Sequence, residues 1–329
     1  MQSKQFIAKI QAMKAERTAS KLCTLFLASR PKFLTASAAP VLVGSALGYA
    51  AAGTFSALLF ILALLAIMAL HAGANMANDY FDHLSGNDWA NQNPTPFSGG
   101  SRYIQQGVLS PKSVLLASLL ALTVASLLGL FIILITQSLF ILLLGLVGML
   151  GGFFYTAPPF RLGYRGVGEA IIAVLFGLLP VYGACYLQTE RIDTLALLPG
   201  AIVGVLIFLV IFVNEFPDRI ADAAVHKKTL VVLFGVAASI WIYRLVLIAG
   251  YILALAVVLF YPVMFFAGLF FLFTLPLAMV AVKAANQSDL NTPGQYRANQ
   301  LTILLHALGS LALTAGFVIS GLRGMQVSP

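Results

Sequence analysis

Two short acidic segments carry the side chains best suited to chemistry in this chain. They are Asn78-Asp79-Tyr80-Phe81-Asp82-His83-Leu84-Ser85-Gly86-Asn87-Asp88 and, far downstream, Asn214-Glu215-Phe216-Pro217-Asp218-Arg219-Ile220-Ala221-Asp222. Together they hold six of the eleven acidic residues, and in each an Asn precedes an Asp by four positions. Residues four apart lie about 40° apart around a helix. Asn78 with Asp82 therefore lines one face, as does Asn214 with Asp218 and Asp222 if the helix persists through Pro217. Gly86 is expected to end the first helix, with Asp88 returning from the turn and Asp79 on a neighbouring face. Such hard oxygen donors suit Mg²⁺, which usually takes one or two carboxylates and fills its octahedron with water and phosphate oxygens. No Cys/His set with zinc spacing is present. Lys227, Lys228 and the segment Phe97-Ser98-Gly99-Gly100-Ser101-Arg102 add cations and a small-residue turn. The ensemble describes a site for a polyanion held by metal and cations, diphosphate being the obvious one. Solvation alone accounts for an acid at one helix end; it accounts poorly for two matching clusters.

Both segments follow long apolar runs. The chain is 60% hydrophobic and 9% charged over 329 residues, against about a quarter charged in a soluble domain. The expected fold is an all-α polytopic membrane protein. Apolar runs at 33–52, 54–75, 113–135, 138–156, 167–187, 194–213, 239–260, 262–282 and 301–321 each approach the ~20 residues of a spanning helix. The expectation is nine transmembrane helices in one bundle. The pair meeting at Tyr261 and Pro262 is closely spaced, with no polar loop between the two runs.

Cytoplasmic loops carry the excess of Lys and Arg. With the N-terminus placed in the cytoplasm, 17 of the 19 basic residues fall on that side, and only Arg191 and Arg323 fall outside. A missing span would reverse every later loop, so the split supports both count and direction. Both acidic clusters then face the cytoplasm. The net charge of +8 reflects topology and anionic headgroups, with no nucleic-acid partner implied.

Residues 1–32 read as a basic amphipathic cytoplasmic leader. Phe6, Ile7, Ile10 and Met13 lie at near-helical spacing, which suits a helix in the membrane interface. No early apolar core or cleavage site of a signal peptide is present. Residues 33–322 form one membrane domain, with long polar loops at 76–112 and 214–238 on the cytoplasmic face, where chemistry is expected. Acidic clusters after spans two and six hint at internal duplication. Cys23 and Cys185 are expected on opposite sides of the membrane, unable to pair.

These residues resemble the UbiA superfamily of intramembrane prenyltransferases, whose members have nine helices and two Asp-rich cytoplasmic motifs. Arg30-Pro31-Lys32, Tyr155-Thr156-Ala157-Pro158-Pro159-Phe160-Arg161 and Lys228-Thr229-Leu230 join the resemblance, which covers roughly residues 28–322. The 4-hydroxybenzoate branch usually carries an Asp where this chain has Gly86. The form with Asp82, Gly86 and Asp88 looks like the branch that prenylates 1,4-dihydroxy-2-naphthoate in menaquinone synthesis. Glu215-Phe216-Pro217 and His226 depart from the commonest second motif and bear on the acceptor more than on the reaction.

The resemblance implies that Asn78, Asp82, Asp88, Asn214, Asp218 and Asp222 hold Mg²⁺ and the diphosphate of a polyprenyl diphosphate. Asp82, Asp218, Asp222 and Lys228 are the expected catalytic residues, with Arg161, Arg102 and Tyr155 on the substrates. It also implies loss of the naphthoate carboxylate as CO₂. The expected location is the inner (plasma) membrane, with the site on the cytoplasmic side and the prenyl tail among the spans or in surrounding lipid.

Four other residues admit structural readings. Tyr155 sits where aromatic belts place Tyr, Glu169 lies near Arg165 and is expected to pair with it, and His71 and His306 are expected to bond between helices. A transporter is the alternative from another class, but its polar residues would lie near the midplane. A phosphatidyl-group transferase would keep its acids in one segment, and a scaffold would need neither cluster.

Overall fold

The computed structural model describes residues 21–286, Leu290 and 294–324; the expected interfacial helix of the leader lies outside the described residues. The long helices are α1 Thr35–Ala52, α2 Ala57–Ser85, α3 Pro111–Thr136, α4 Leu139–Phe153, α5 Gly168–Thr189, α6 Leu197–Ala224, α7 Leu230–Phe260, α8 Phe265–Leu272, α9 Leu275–Ala284 and α10 Arg297–Leu322. No strand forms among the described residues.

Each expected apolar run is helical. Seven helices are long and apolar enough to cross a membrane, and the α8–α9 pair, bent by 45°, raises the number to eight. Helix α4 has 15 residues, about 22 Å at 1.5 Å per residue, short of the ~30 Å hydrocarbon core. The chain breaks at Tyr261 before Pro262, since proline disfavours a helical residue ahead of it, and again at Phe273 and Thr274, where Pro276 has no N–H to bond back to the preceding turn.

Local chemistry sets the ends of α2. Ser56 accepts the Leu59 N–H at its start, and Gly86 closes it at φ 82°, a left-handed conformation that glycine adopts without steric penalty. Helix α6 runs unbroken through Pro217 to Ala224.

The core lies along α6, α7 and α10, where Phe212, Phe216, Tyr243, Leu305 and Phe317 are buried. Small residues let helices approach: a Cβ built on Gly177 of α5 would lie 2.4 Å from the Cα of Gly204 on α6. Many long apolar side chains of α3 and α7 stay exposed, including Leu116, Leu120, Leu134, Leu245 and Leu259. A helix apolar on its outer face is matched to lipid.

Polar bonds sort the loops into two ends. At one end Ser56 N–H donates to Gln188 Oε1 at 2.7 Å, and Ser138 Oγ donates to Tyr186 OH at 2.9 Å. At the other, Tyr164 reaches Asp82 and the Lys228 N–H meets the Tyr164 carbonyl. Both acidic segments lie at this second end. Cys23 is exposed, Cys185 is buried, and both are free.

Candidate active site

The ends of α2 and α6 converge on one cavity of about 220 Å³, lined by Asn78, Asp82 and Asp88 from the first segment and by Asn214, Glu215, Asp218 and Asp222 from the second. Arg30, Tyr155, Lys227, His71 and Asn87 are also among its charged and polar lining, and Phe33, Phe176 and Ile211 belong to its apolar part. Azimuth explains the α2 selection. Asn78 and Asp82 look inward, while Asp79 bonds Arg30 and the Ser101 N–H and does not line the cavity.

Each inward aspartate is held. Asp82 accepts from Asn78 Nδ2 at 3.1 Å and from the Tyr164 hydroxyl at 2.8 Å. Asp222 accepts from Asn87 at 2.8 Å, and Asp218 from Asn91 at 2.7 Å and the Gly99 N–H at 3.0 Å. Asp88 accepts from Gln105, while Arg102 donates to the Asp88 carbonyl. The turn after α2 therefore binds the α6 cluster directly, through two asparagines. Asn214 is fixed from α10 by Asn299, at 2.8 Å.

Gly99 and Gly100 both adopt positive φ, and a Cβ on Gly100 would come within 3.1 Å of both Asp88 carboxylate oxygens. Only glycine allows this loop to lie against the acids. The adjacent amides are occupied by Asp218 and Asp79, so the loop organises the carboxylates in this state.

Lys227 lies between the clusters. Its Nζ is 3.4 Å from Asp222 Oδ1 and 3.8 Å from Asp82 Oδ2. Burial disfavours its charge, but Asp222 and Asp82 outweigh that and hold the ammonium well above the ordinary lysine range. Lys228 instead pairs with Arg165 only through the backbone, and its side chain is exposed. Successive side chains of an extended segment point oppositely, and here Lys227 takes the inner side.

Burial, reinforced by Asp82 and Asp79 and opposed by Arg30 and Arg102, pushes Asp88 up to about 8. Tyr155 and Tyr164 are also held well above the usual phenol range, chiefly by burial, with Glu215 and Asp82 as the leading charges respectively.

Of the site residues expected from sequence, Asn78, Asp82, Asp88, Tyr155, Asn214, Asp218 and Asp222 share the cavity. Three do not line it: Lys228; Arg161, exposed with its guanidinium 5.7 Å from the Tyr164 ring centre; and Arg102, behind Asp88. The structure adds Arg30, Lys227, Asn87, Asn91, Tyr164 and Gln105. Asn87 was visible beside Asp88; the reach of Asn91 and Tyr164 to acids more than eighty positions away left no local signal. Glu169 does not pair with Arg165, as its Oε1 accepts the Leu230 N–H at 2.6 Å while Arg165 donates to the Phe160 carbonyl. His71 bonds Ser37 between helices at 2.7 Å, and its side chain also lines the cavity.

Five carboxylates face two cations in this cavity. An anionic substrate meets net repulsion there unless cations enter with it. Among the described residues no three Asp, Glu, His or Cys side chains group closely enough to hold one ion. The donor set fits Mg²⁺, an ion that needs only one or two carboxylates beside carboxamide, water and phosphate oxygens.

A 1,4-dihydroxy-2-naphthoate octaprenyltransferase of Haemophilus influenzae is 32% identical over 299 residues, 88% of this chain and 94% of the relative. A 2-carboxy-1,4-naphthoquinone phytyltransferase of Synechocystis is 28% identical, over 94% of this chain and 97% of the relative. The solved structure of a UbiA homologue from Archaeoglobus fulgidus bound to GPP and Mg²⁺ superposes with a TM-score of 0.66 over 92% of this chain and all of that one, at 17% identity. The model of the UbiA prenyltransferase family matches residues 37–320, so the chain is a membrane-embedded prenyltransferase and belongs to that family.

Proposed function

We propose that the protein transfers a polyprenyl group from its diphosphate to 1,4-dihydroxy-2-naphthoate, with Mg²⁺ and with loss of CO₂. The observation that carries this reading is the meeting of both acidic clusters, with Arg30 and Lys227, around one cavity. Bound Mg²⁺ would neutralise the diphosphate and the charge it gains on leaving. Asp82 and Asp88 on one wall, and Asp218 and Asp222 on the other, would hold the ion, with Asn78 and Asn214 beside them. Lys227 and Arg30 then face the diphosphate oxygens and favour their departure. The allylic carbon–oxygen bond breaks with its electron pair on diphosphate, and the ring carbon bearing the carboxylate attacks the allylic carbon. Loss of CO₂ returns the electron pair of its bond to the ring, so the substitution needs no protein nucleophile. Tyr155, which lines the cavity, would contact the acceptor or the allylic charge.

The membrane assignment completes the proposal. The two-ended sorting of the loops supports nine crossings, with α4 and the α8–α9 pair among them, and residues 33–322 as one domain. The distribution of Lys and Arg supports a cytoplasmic N-terminus and a site facing the cytoplasm from the inner (plasma) membrane. The test is purified protein with Mg²⁺, a polyprenyl diphosphate and either 1,4-dihydroxy-2-naphthoate or 4-hydroxybenzoate, read by mass spectrometry. A decarboxylated prenyl-naphthoquinol that disappears with EDTA is expected. Prenylated hydroxybenzoate moves the acceptor to the other branch, and absence of both products sinks the reading.

A linked titration is expected. Asp88 holds its proton below about pH 8 in the free site, whereas a metal takes the carboxylate. Mg²⁺ binding at neutral pH should therefore release a proton, and apparent affinity should rise with pH until about 8. Calorimetry in two buffers of different ionisation enthalpy measures the release, and identical heats would refute it.

A further inference from the structure

Two polar side chains of α2, Asn75 and His71, line the cavity below its acids and take no part in the transfer steps above. They stand about 10 and 16 Å from Asp82 along the helix axis, at 1.5 Å per residue, and being four apart they share one face. On α6, Ile211 and Ile207 precede Asp218 by the same seven and eleven positions and also line the cavity, with Ile172 and Phe176 of α5. At this depth the two polar groups look into apolar surroundings.

Hydrogen bonding fixes what each offers. Asn75 Nδ2 donates to the Ser29 carbonyl at 2.9 Å. A carbonyl only accepts, so the amide nitrogen is committed there and Oδ1 is turned away. Oδ1 has no partner among the described residues and is not enclosed by protein. His71 Nδ1 lies 2.7 Å from Ser37 Oγ. Ser37 is wholly buried and has no other partner for its hydroxyl, so that proton goes to Nδ1 and the proton of the imidazole sits on Nε2. Phe176 packs edge-on against the imidazole, ring centres 4.8 Å apart, and holds its plane. Nε2 also lacks a partner among the described residues and is not enclosed. His306 differs, since its Nε2 is sealed in protein and the residue does not line the cavity.

An acceptor oxygen and an N–H donor thus stand about 6 Å apart along one helix face, both unpaired. Polar groups left unpaired in an apolar site favour a ligand that pairs both. A hydrocarbon tail offers neither donor nor acceptor, whereas an aromatic ring with hydroxyls at opposite ends offers both.

We propose that Asn75 and His71 seat the aromatic acceptor: the hydroxyl beside the attacking carbon donates to Asn75 Oδ1, and the hydroxyl across the ring accepts from His71 Nε2–H, one turn deeper. The proposal rests on the naphthoate reading above and adds which end of the ring faces the diphosphate. As the ring carbon attacks, the neighbouring oxygen feeds electrons into the ring and its O–H becomes a stronger donor, so the bond to Asn75 tightens. The amide cannot take the proton, and both hydroxyls survive in the product. A benzoate with one hydroxyl leaves a member of the pair unpaired, which disfavours it. Ser37 acts through His71 and is a positioning residue.

His71→Leu tests the seat with two acceptors, 1,4-dihydroxy-2-naphthoate and 1-hydroxy-2-naphthoate, which lacks the deeper hydroxyl. With Mg²⁺ and one polyprenyl diphosphate, KM for the dihydroxy acceptor should rise about tenfold, while KM for the monohydroxy acceptor should change less than about twofold. KM for the diphosphate should hold. His71→Gln, which keeps an N–H donor, should recover part of the loss. Ser37→Ala leaves the imidazole but frees its tautomer, and should raise KM for the dihydroxy acceptor alone, by about threefold; it decides the matter if His71→Leu does not fold. An equal response of the two acceptors, or no response from the dihydroxy one, overturns the seat. Parent protein that prenylates neither acceptor sinks the naphthoate reading instead, so the two failures are distinguishable.

Discussion

Asp82→Ala is expected to abolish magnesium-dependent transfer in a protein that still folds. Asp82 is buried, accepts from Asn78 and Tyr164, and lies 3.8 Å from Lys227. It is thus the carboxylate of the first cluster that most directly faces the second. Removing it takes away a metal donor and leaves the Tyr164 hydroxyl and Asn78 amide without their acceptor. The expected loss of turnover is about a thousandfold or more, as for deletion of a principal electrostatic group at a reacting centre. Asp82→Asn, which keeps the shape and removes the charge, should lose most of the same activity. Far-ultraviolet circular dichroism and size-exclusion profiles like the parent's establish folding, and appreciable turnover by a folded Asp82→Ala protein would refute the site.

The second large effect separates two neighbouring lysines. Lys227→Met should reduce kcat/KM for the prenyl diphosphate by about 10²–10³, while Lys228→Met should change it less than about threefold, as for an exposed charge. Lys227 bridges Asp82 and Asp222 and lines the cavity; Lys228 is turned out beside Arg165. Without Lys227 the cavity also loses one of its two cations, so the five carboxylates should take up Mg²⁺ more tightly even as turnover falls. Kinetics of both variants, paired with Mg²⁺ titration of Lys227→Met, give the comparison. Sensitivity at Lys228 with indifference at Lys227 would overturn the geometric assignment.

Much of the site was legible because its spacing is helical and local. Asn78 with Asp82, and Asn214 with Asp218 and Asp222, share faces for the reason that any residues four apart do, and α6 accommodates Pro217 without breaking. Gly86 ends α2 as a glycine in the left-handed region should. The nine apolar runs are helical for an equally local reason. Length alone credits only seven of them, or eight with the bent pair, as membrane-crossing, since α4 is short and Tyr261, Phe273 and Thr274 interrupt the chain before proline.

Partnerships across helices were not legible. Nothing in the order of residues shows that Asn87 and Asn91 reach Asp222 and Asp218, that Tyr164 caps Asp82, or that Arg30 bonds Asp79. Sequence by itself determined the membrane-helical class, the two acidic clusters and their resemblance to a prenyltransferase. These depend on hydrophobicity and on angles within one helix. Tertiary structure alone decided that the clusters share a cavity and that Lys227 rather than Lys228 enters it. Those outcomes depend on how distant helices pack and rotate against one another, which spacing within a single helix does not encode.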